Sequence, residues 1–237
     1  MNRKFGTAIL AVGATLLVSY GVAFGAGLGS HRDDDNDDST SKVNGSIDIE
    51  SGAHKGDLST VNGSIKVGSD AVVGQVKTVN GDLKLESRVT AKTLTTVNGS
   101  ISVRDGAHIQ GNVHTVNGSL HVTDAADVSG DLANVNGGIH VEGAHIGGNV
   151  NTAQGNIDLG PNAHIDGNVV IEKDNSWHFG FFSVPPPPRV VVGPGTVVKG
   201  KLHFEREVKL YVSDHASIGV VEGAQPIKFS GDHPPES

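Results

Sequence analysis

The chain has 237 residues, 33 of them Gly, with no Cys, 19% charged side chains and a net charge of -8 at pH 7. This composition suits a turn-rich β protein, excludes a collagen-like helix, and leaves no thiol for disulfides, thiolate zinc centres or a cysteine nucleophile. An acidic surface without basic clusters argues against nucleic acid and against electrostatic docking on anionic lipid.

Residues 1–26 read as a secretory signal. Arg3 and Lys4 start it, an apolar core spans about residues 7–18, and Ala23 with Gly25, or Gly21 with Ala23, offers a small-residue cleavage site. That core, with Gly13 inside it, is shorter than the ~20 residues a membrane helix needs. The expectation is therefore an exported protein (periplasmic, at the outer surface or extracellular) with no transmembrane span after cleavage. Residues 27–42 follow as an acidic linker: five aspartates between Asp33 and Asp38 repel one another and offer nothing to bury.

From Val43 the chain repeats itself. Val-Asn-Gly recurs at Val43, Val61, Val79, Val97, Val116 and Val135, with a degraded copy at Ala153-Gln154-Gly155, so that the steps are 18 or 19 residues. A fixed period this short marks a solenoid. Within it runs a finer period of six, through Val61, Val67, Val73, Val79, Leu85, Ala91, Val97, Val103 and Ile109, with a second small or apolar residue four places after most of them. Two inward positions per six residues, often β-branched, describe a short strand and a corner. Apolar residues at helical spacing are absent. The predicted fold is all-β: a single-stranded triangular β-solenoid of about nine 18–19-residue coils over residues 43–224. Its handedness stays open, with a right-handed coil preferred.

The repeated Asn44, Asn62, Asn80, Asn98, Asn117 and Asn136 are expected at corners. There Asn and Gly tolerate positive φ, and stacked amides can form a ladder. Asn-Gly-Ser also matches the glycosylation sequon, but recurrence at the fold's own period favours the corner explanation.

A copy of the segment at Ile157 reappears 33 residues later at Val190, which implies a loop of about 15 residues within one coil. This insertion, residues 172–188, crowds Trp177, Phe179, Phe181 and Phe182 ahead of Pro185–Pro188. It reads either as a flap over the solenoid or as an aromatic binding loop for a protein or glycan. Residues 225–237 read as a flexible tail.

Two columns across the coils carry polar chemistry. One outward column is His54, Val72, Thr90, His108, Asp127, His145 and His164. Of these, His108 with Asp127 and His145 with His164 are candidate metal ligands, since adjacent coils lie about 4.8 Å apart. No third ligand follows from the spacing, and exposed polar decoration explains the column as well. The other column is Thr60, Thr78, Thr96, Thr115, Asn134 and Thr152, a single threonine row where ice-binding solenoids show two. No paired carboxylates in a conspicuous setting, Gly-x-Ser-x-Gly or phosphate loop is present. The expectation is that the protein is not an enzyme and needs no cofactor.

The Thr-Val-Asn-Gly-Ser-Ile-x-Val and Gly-Ala-His-Ile-x-Gly-Asn-Val segments resemble those of polymer-forming bactofilin-type proteins and of adhesin domains built from Val-Asn-Gly coils. The resemblance covers about residues 43–171 and 190–218. It implies non-enzymatic scaffolding by end-to-end polymerisation, or surface adhesion, with partners that are either further copies or an envelope protein or glycan. The leader departs from bactofilins, which are typically cytoplasmic or attached to the inner membrane face.

Overall fold

The computed structural model describes residues 38–173 and 186–235. Within them the chain winds through three parallel sheets of ten, seven and ten strands. A coil consists of one strand from each sheet: Leu94–Asn98 on the first face, Ile101–Val103 on the second and His108–Ile109 on the third. Each strand inside a sheet pairs with its equivalents one coil before and one coil after, as Val113–Asn117 does with Leu94–Asn98 and Leu132–Asn136. The described residues thus form a β-solenoid of about nine turns. No helix among them is long and apolar enough to cross a membrane.

Each face of a coil sends two side chains into the shaft between the faces; on the third face one of them comes from just before the strand. Leu94 and Thr96, Ile101 and Val103, then Ala107 and Ile109 are all fully buried. Burying a Val, Leu or Ile stabilises by about 1.5–3 kcal/mol, and 33 of them, with six Ala and Phe204, form one continuous cluster.

The six-residue reading requires one correction. Val61, Val79 and Val97 face outward and are half-buried, while the threonine just before each is buried. The first inward residues of successive strands are Leu58, Ile65, Ala71 and Val76, so the steps are 7, 6 and 5 (65 - 58, 71 - 65, 76 - 71). They sum to 18 like three sixes, which is why the coil length was legible and the phase of the first face was not.

The strands also reach beyond the expected limits of 43 and 224. Thr40–Asn44 opens the first sheet, and Pro226–Phe229 extends the second by pairing with Lys209–Ser213. Across the insertion the register resumes unbroken, with Ile157 opposite Val190 and Leu159 opposite Val192.

Candidate functional site

The corners come first, because they decide which polar groups remain available. Asn62, Asn80, Asn98, Asn117 and Asn136 each donate Nδ2–H to the Oδ1 of the asparagine one coil earlier, at 2.8–3.0 Å, in one unbroken ladder that starts at Asn44. These amides therefore hold coil to coil.

Of the glycines that follow, Gly45 and Gly137, at the two ends of the asparagine ladder, have the expected positive φ, whereas the four between them serve a different purpose. Gly63, Gly81, Gly99 and Gly118 have ordinary φ, but a Cβ on any of them would strike the carbonyl of the equivalent glycine one coil back. Close stacking, not turn geometry, excludes a side chain. The left-handed residues of the described coils lie largely at the next corner, among them Asp70, Arg88, Asp105 and Asp124. There the Arg88 guanidinium grips Asp70 through two bonds of 2.7 and 2.8 Å.

The threonine row is interior. Thr78, Thr96, Thr115, Asn134 and Thr152 are fully buried and Thr60 nearly so. Thr60, Thr78, Thr96 and Thr115 donate their hydroxyl hydrogens to the carbonyls of Gly45, Gly63, Gly81 and Gly99, at 2.9–3.1 Å. A buried hydroxyl requires such a partner, and the corner glycine supplies it.

A third set of stacked bonds was not foreseen. Asn112, Asp131, Asn149 and Asn168 each accept the backbone N–H of the residue one coil on, at 2.6–2.9 Å. Its signal in the sequence was the Gly-Asn or Gly-Asp that immediately precedes the first-face strands beginning at Leu58, Val113, Leu132, Val150 and Val169.

What remains free for chemistry is the outer surface, and the third face concentrates it. His108, Asp127, His145 and His164 are direct register partners on successive strands. Asp127 accepts from two histidines at once, with His108 Nδ1 at 2.6 Å from Oδ2 and His145 Nδ1 at 2.5 Å from Oδ1. Partial burial alone would raise the Asp127 pKa, but its bonds to His145 and His108 outweigh this and hold it below the usual carboxylate range. The bond to Asp127 in turn pushes the His145 pKa up against the effect of burial, with Asp166 adding to it.

The sequence column omitted Asp166 because that residue lies two places after His164. Alternation returns it to the same side of the strand. Its carboxylate sits between His145 Nε2 and His164 Nε2, each 3.4 Å from one of its oxygens. Lys199, one coil on, approaches Oδ1 to 2.8 Å, and its ammonium is the main cause of the lowered Asp166 pKa. The His145 and His164 rings lie 5.7 Å apart, centroid to centroid. As they stand, no three His, Asp or Glu side chains among the described residues enclose a metal position.

The second face carries His121 and His140, whose rings are 6.1 Å apart. His140 meets Asp158 through Nδ1 at 3.3 Å and Glu142 through Nε2 at 3.4 Å. With neighbouring residues they line an open, shallow hollow.

Trp177, Phe179, Phe181 and Phe182 lie outside the described residues. The strand that follows the insertion, Arg189–Val192, points Val191 outward into a small cluster with Tyr211 and Phe229. The Arg189 guanidinium sits 5.2 Å over the Tyr211 ring.

The chain matches no family model, and no curated protein or solved structure similar to it was found.

Proposed function

We propose that this chain is an exported, non-enzymatic β-solenoid that serves as a structural or adhesive element of the bacterial envelope and works through its outer faces. The observation that carries this reading is the unbroken stack itself. Three parallel sheets run through about nine coils, their corner polar groups are consumed in coil-to-coil ladders, and the hollows among the described residues are open and shallow. Such a body offers long, regular faces to a partner. The resemblance to bactofilin-type and adhesin-type repeats supports the same class of role.

End-to-end growth is the part of that resemblance the end strands oppose. Lys42 occupies the register position that Thr60 fills one coil on, and Pro226 and Lys228 stand opposite the buried Leu210 and Val212. A charge at an inward position and a proline without an N–H are devices that blunt a sheet edge. Stacking one end on the other would bring lysines toward one apolar shaft. Sedimentation velocity with negative-stain microscopy, over a wide concentration range, tests this. A monomer at every concentration fits contact through the faces, and filaments that lengthen with concentration would overturn it.

A second reading, a ligand-binding module for a glycan or protein acting through Trp177, Phe179, Phe181 and Phe182, draws on one observation. The insertion leads directly into the strand that carries Val191 beside Tyr211 and Phe229. Deleting residues 174–185 separates the two readings, since a ligand binder would lose its ligand and keep its assembly state.

A further inference from the structure

The geometry points to a divalent transition-metal site on the third face, with His145, His164 and Asp166 as protein ligands and Asp127 as the group that orients His145. His145 and His164 are opposite one another on neighbouring parallel strands, and Asp166, two residues after His164, shares their face. Donors arranged tetrahedrally around zinc at about 2.0–2.2 Å are separated by roughly 3.4 Å. His145 Nε2 stands at that separation, 3.4 Å, from Asp166 Oδ2, and His164 Nε2 stands 3.4 Å from the other oxygen, Oδ1.

Tautomer is the next requirement. A histidine ligand must present a lone pair, and the hydrogen bond at its other nitrogen decides which atom that is. Asp127 holds His145 at Nδ1, which places the proton there and leaves Nε2 toward Asp166. A carboxylate behind a metal-bound histidine is the recurrent outer-sphere partner in such sites, and removing it typically weakens metal binding 10–100-fold.

Two imidazoles and a carboxylate suit zinc, nickel or copper better than calcium or magnesium, which prefer all-oxygen cages. The three donors do not yet enclose an ion. Binding therefore requires the partly exposed His164 ring to rotate toward a shared position, with water completing the coordination. Lys199, at 2.8 Å from Asp166 Oδ1 and more than half exposed, is the cation that now occupies the carboxylate and would be displaced.

The second-face histidines do not offer the same arrangement. Both nitrogens of His140 face carboxylates, Asp158 and Glu142, and among the described residues no carboxylate there is shared between two histidines.

Isothermal titration calorimetry of Zn2+ into the full chain, in a buffer free of phosphate and chelator, tests the assignment. Saturable binding is expected, weakened at least tenfold by His145→Ala, His164→Ala or Asp166→Asn and 10–100-fold by Asp127→Asn. Lys199→Ala should tighten binding, and His121→Ala and His140→Ala should leave it unchanged. Far-UV circular dichroism and melting curves establish that each variant retains its coils, and Lys199→Ala keeps the test decisive should a ligand variant fold poorly. Absence of saturable Zn2+ binding, binding indifferent to His164→Ala, or binding lost equally in His121→Ala overturns the proposal.

Discussion

Replacing Gly99 with Ala tests the claim that corner glycines exist for clearance. An added Cβ would strike the Gly81 carbonyl oxygen and stand 2.5 Å from its carbon, with the Asp82 nitrogen at 3.1 Å. All three are backbone atoms of the preceding coil, so relief requires two coils to part or slide. Overpacking of this kind costs about 1–3 kcal/mol, or roughly 2–12 °C in melting temperature for a domain of this size. If Gly99 served only to loosen the chain, Ala would restrict the unfolded state and stabilise by about 0.4–1 kcal/mol. The two explanations therefore differ in sign.

Gly138 provides the internal control. It has an ordinary φ, a Cβ there would meet nothing closer than 3.9 Å, and Ser64, Asp82, Ser100 and Ser119 fill the same place in other coils. Guanidinium denaturation followed by circular dichroism should show Gly99→Ala less stable than the parent and Gly138→Ala equal to it or more stable. Because stacked repeats can unfold in segments, the midpoint and the slope should both be compared. A Gly99→Ala protein as stable as Gly138→Ala would refute the clearance argument.

Three further outcomes are expected. Thr96→Val removes the hydroxyl that donates to the Gly81 carbonyl at 3.0 Å; leaving that acceptor unsatisfied should cost about 1–3 kcal/mol, measured by chemical denaturation, and no loss would mean that the interior threonines are mere fillers. Asn98→Ala breaks two ladder bonds, to Asn80 and from Asn117, yet these lie at an exposed corner where water can replace them; a smaller cost, at the low end of about 0.5 kcal/mol per bond, should appear in the same assay. His114 faces outward on the first sheet but is only 8% exposed, its Nε2 has no partner, and burial lowers its pKa. The unfolded chain therefore takes up a proton here more readily than the folded one, so stability falls as pH drops below the ordinary histidine value of about 6.5. His114→Thr, matching Thr95 in the neighbouring coil, should flatten that part of the stability–pH profile, which thermal melts between pH 5 and 8 would read. An unchanged profile would exclude His114 as its source.

The sequence by itself determined the coil. Identical residues recurring every 18 or 19 places can stack only if the chain returns to the same corner each time. Val-Asn-Gly at Val61, Val79 and Val97 therefore specified the length of a turn and the column of asparagines. Recurrence also aligned His108, Asp127, His145 and His164 without reference to coordinates. What the repeat could not specify was phase within the coil. Steps of 7, 6 and 5 residues sum to the same 18 as three sixes, and only closure of the three faces turned Thr96 inward and Val97 outward. The role of Gly99 was equally hidden, because a turn that needs positive φ and a stack that needs clearance both select glycine, and the distance to the preceding coil decides between them. Asp166 and Lys199 joined the histidine column only in three dimensions. The contacts of Asp166 with His145 and with Lys199 depend on strand alternation and on register across the 33-residue step, two properties of the assembled sheet that no single repeat contains.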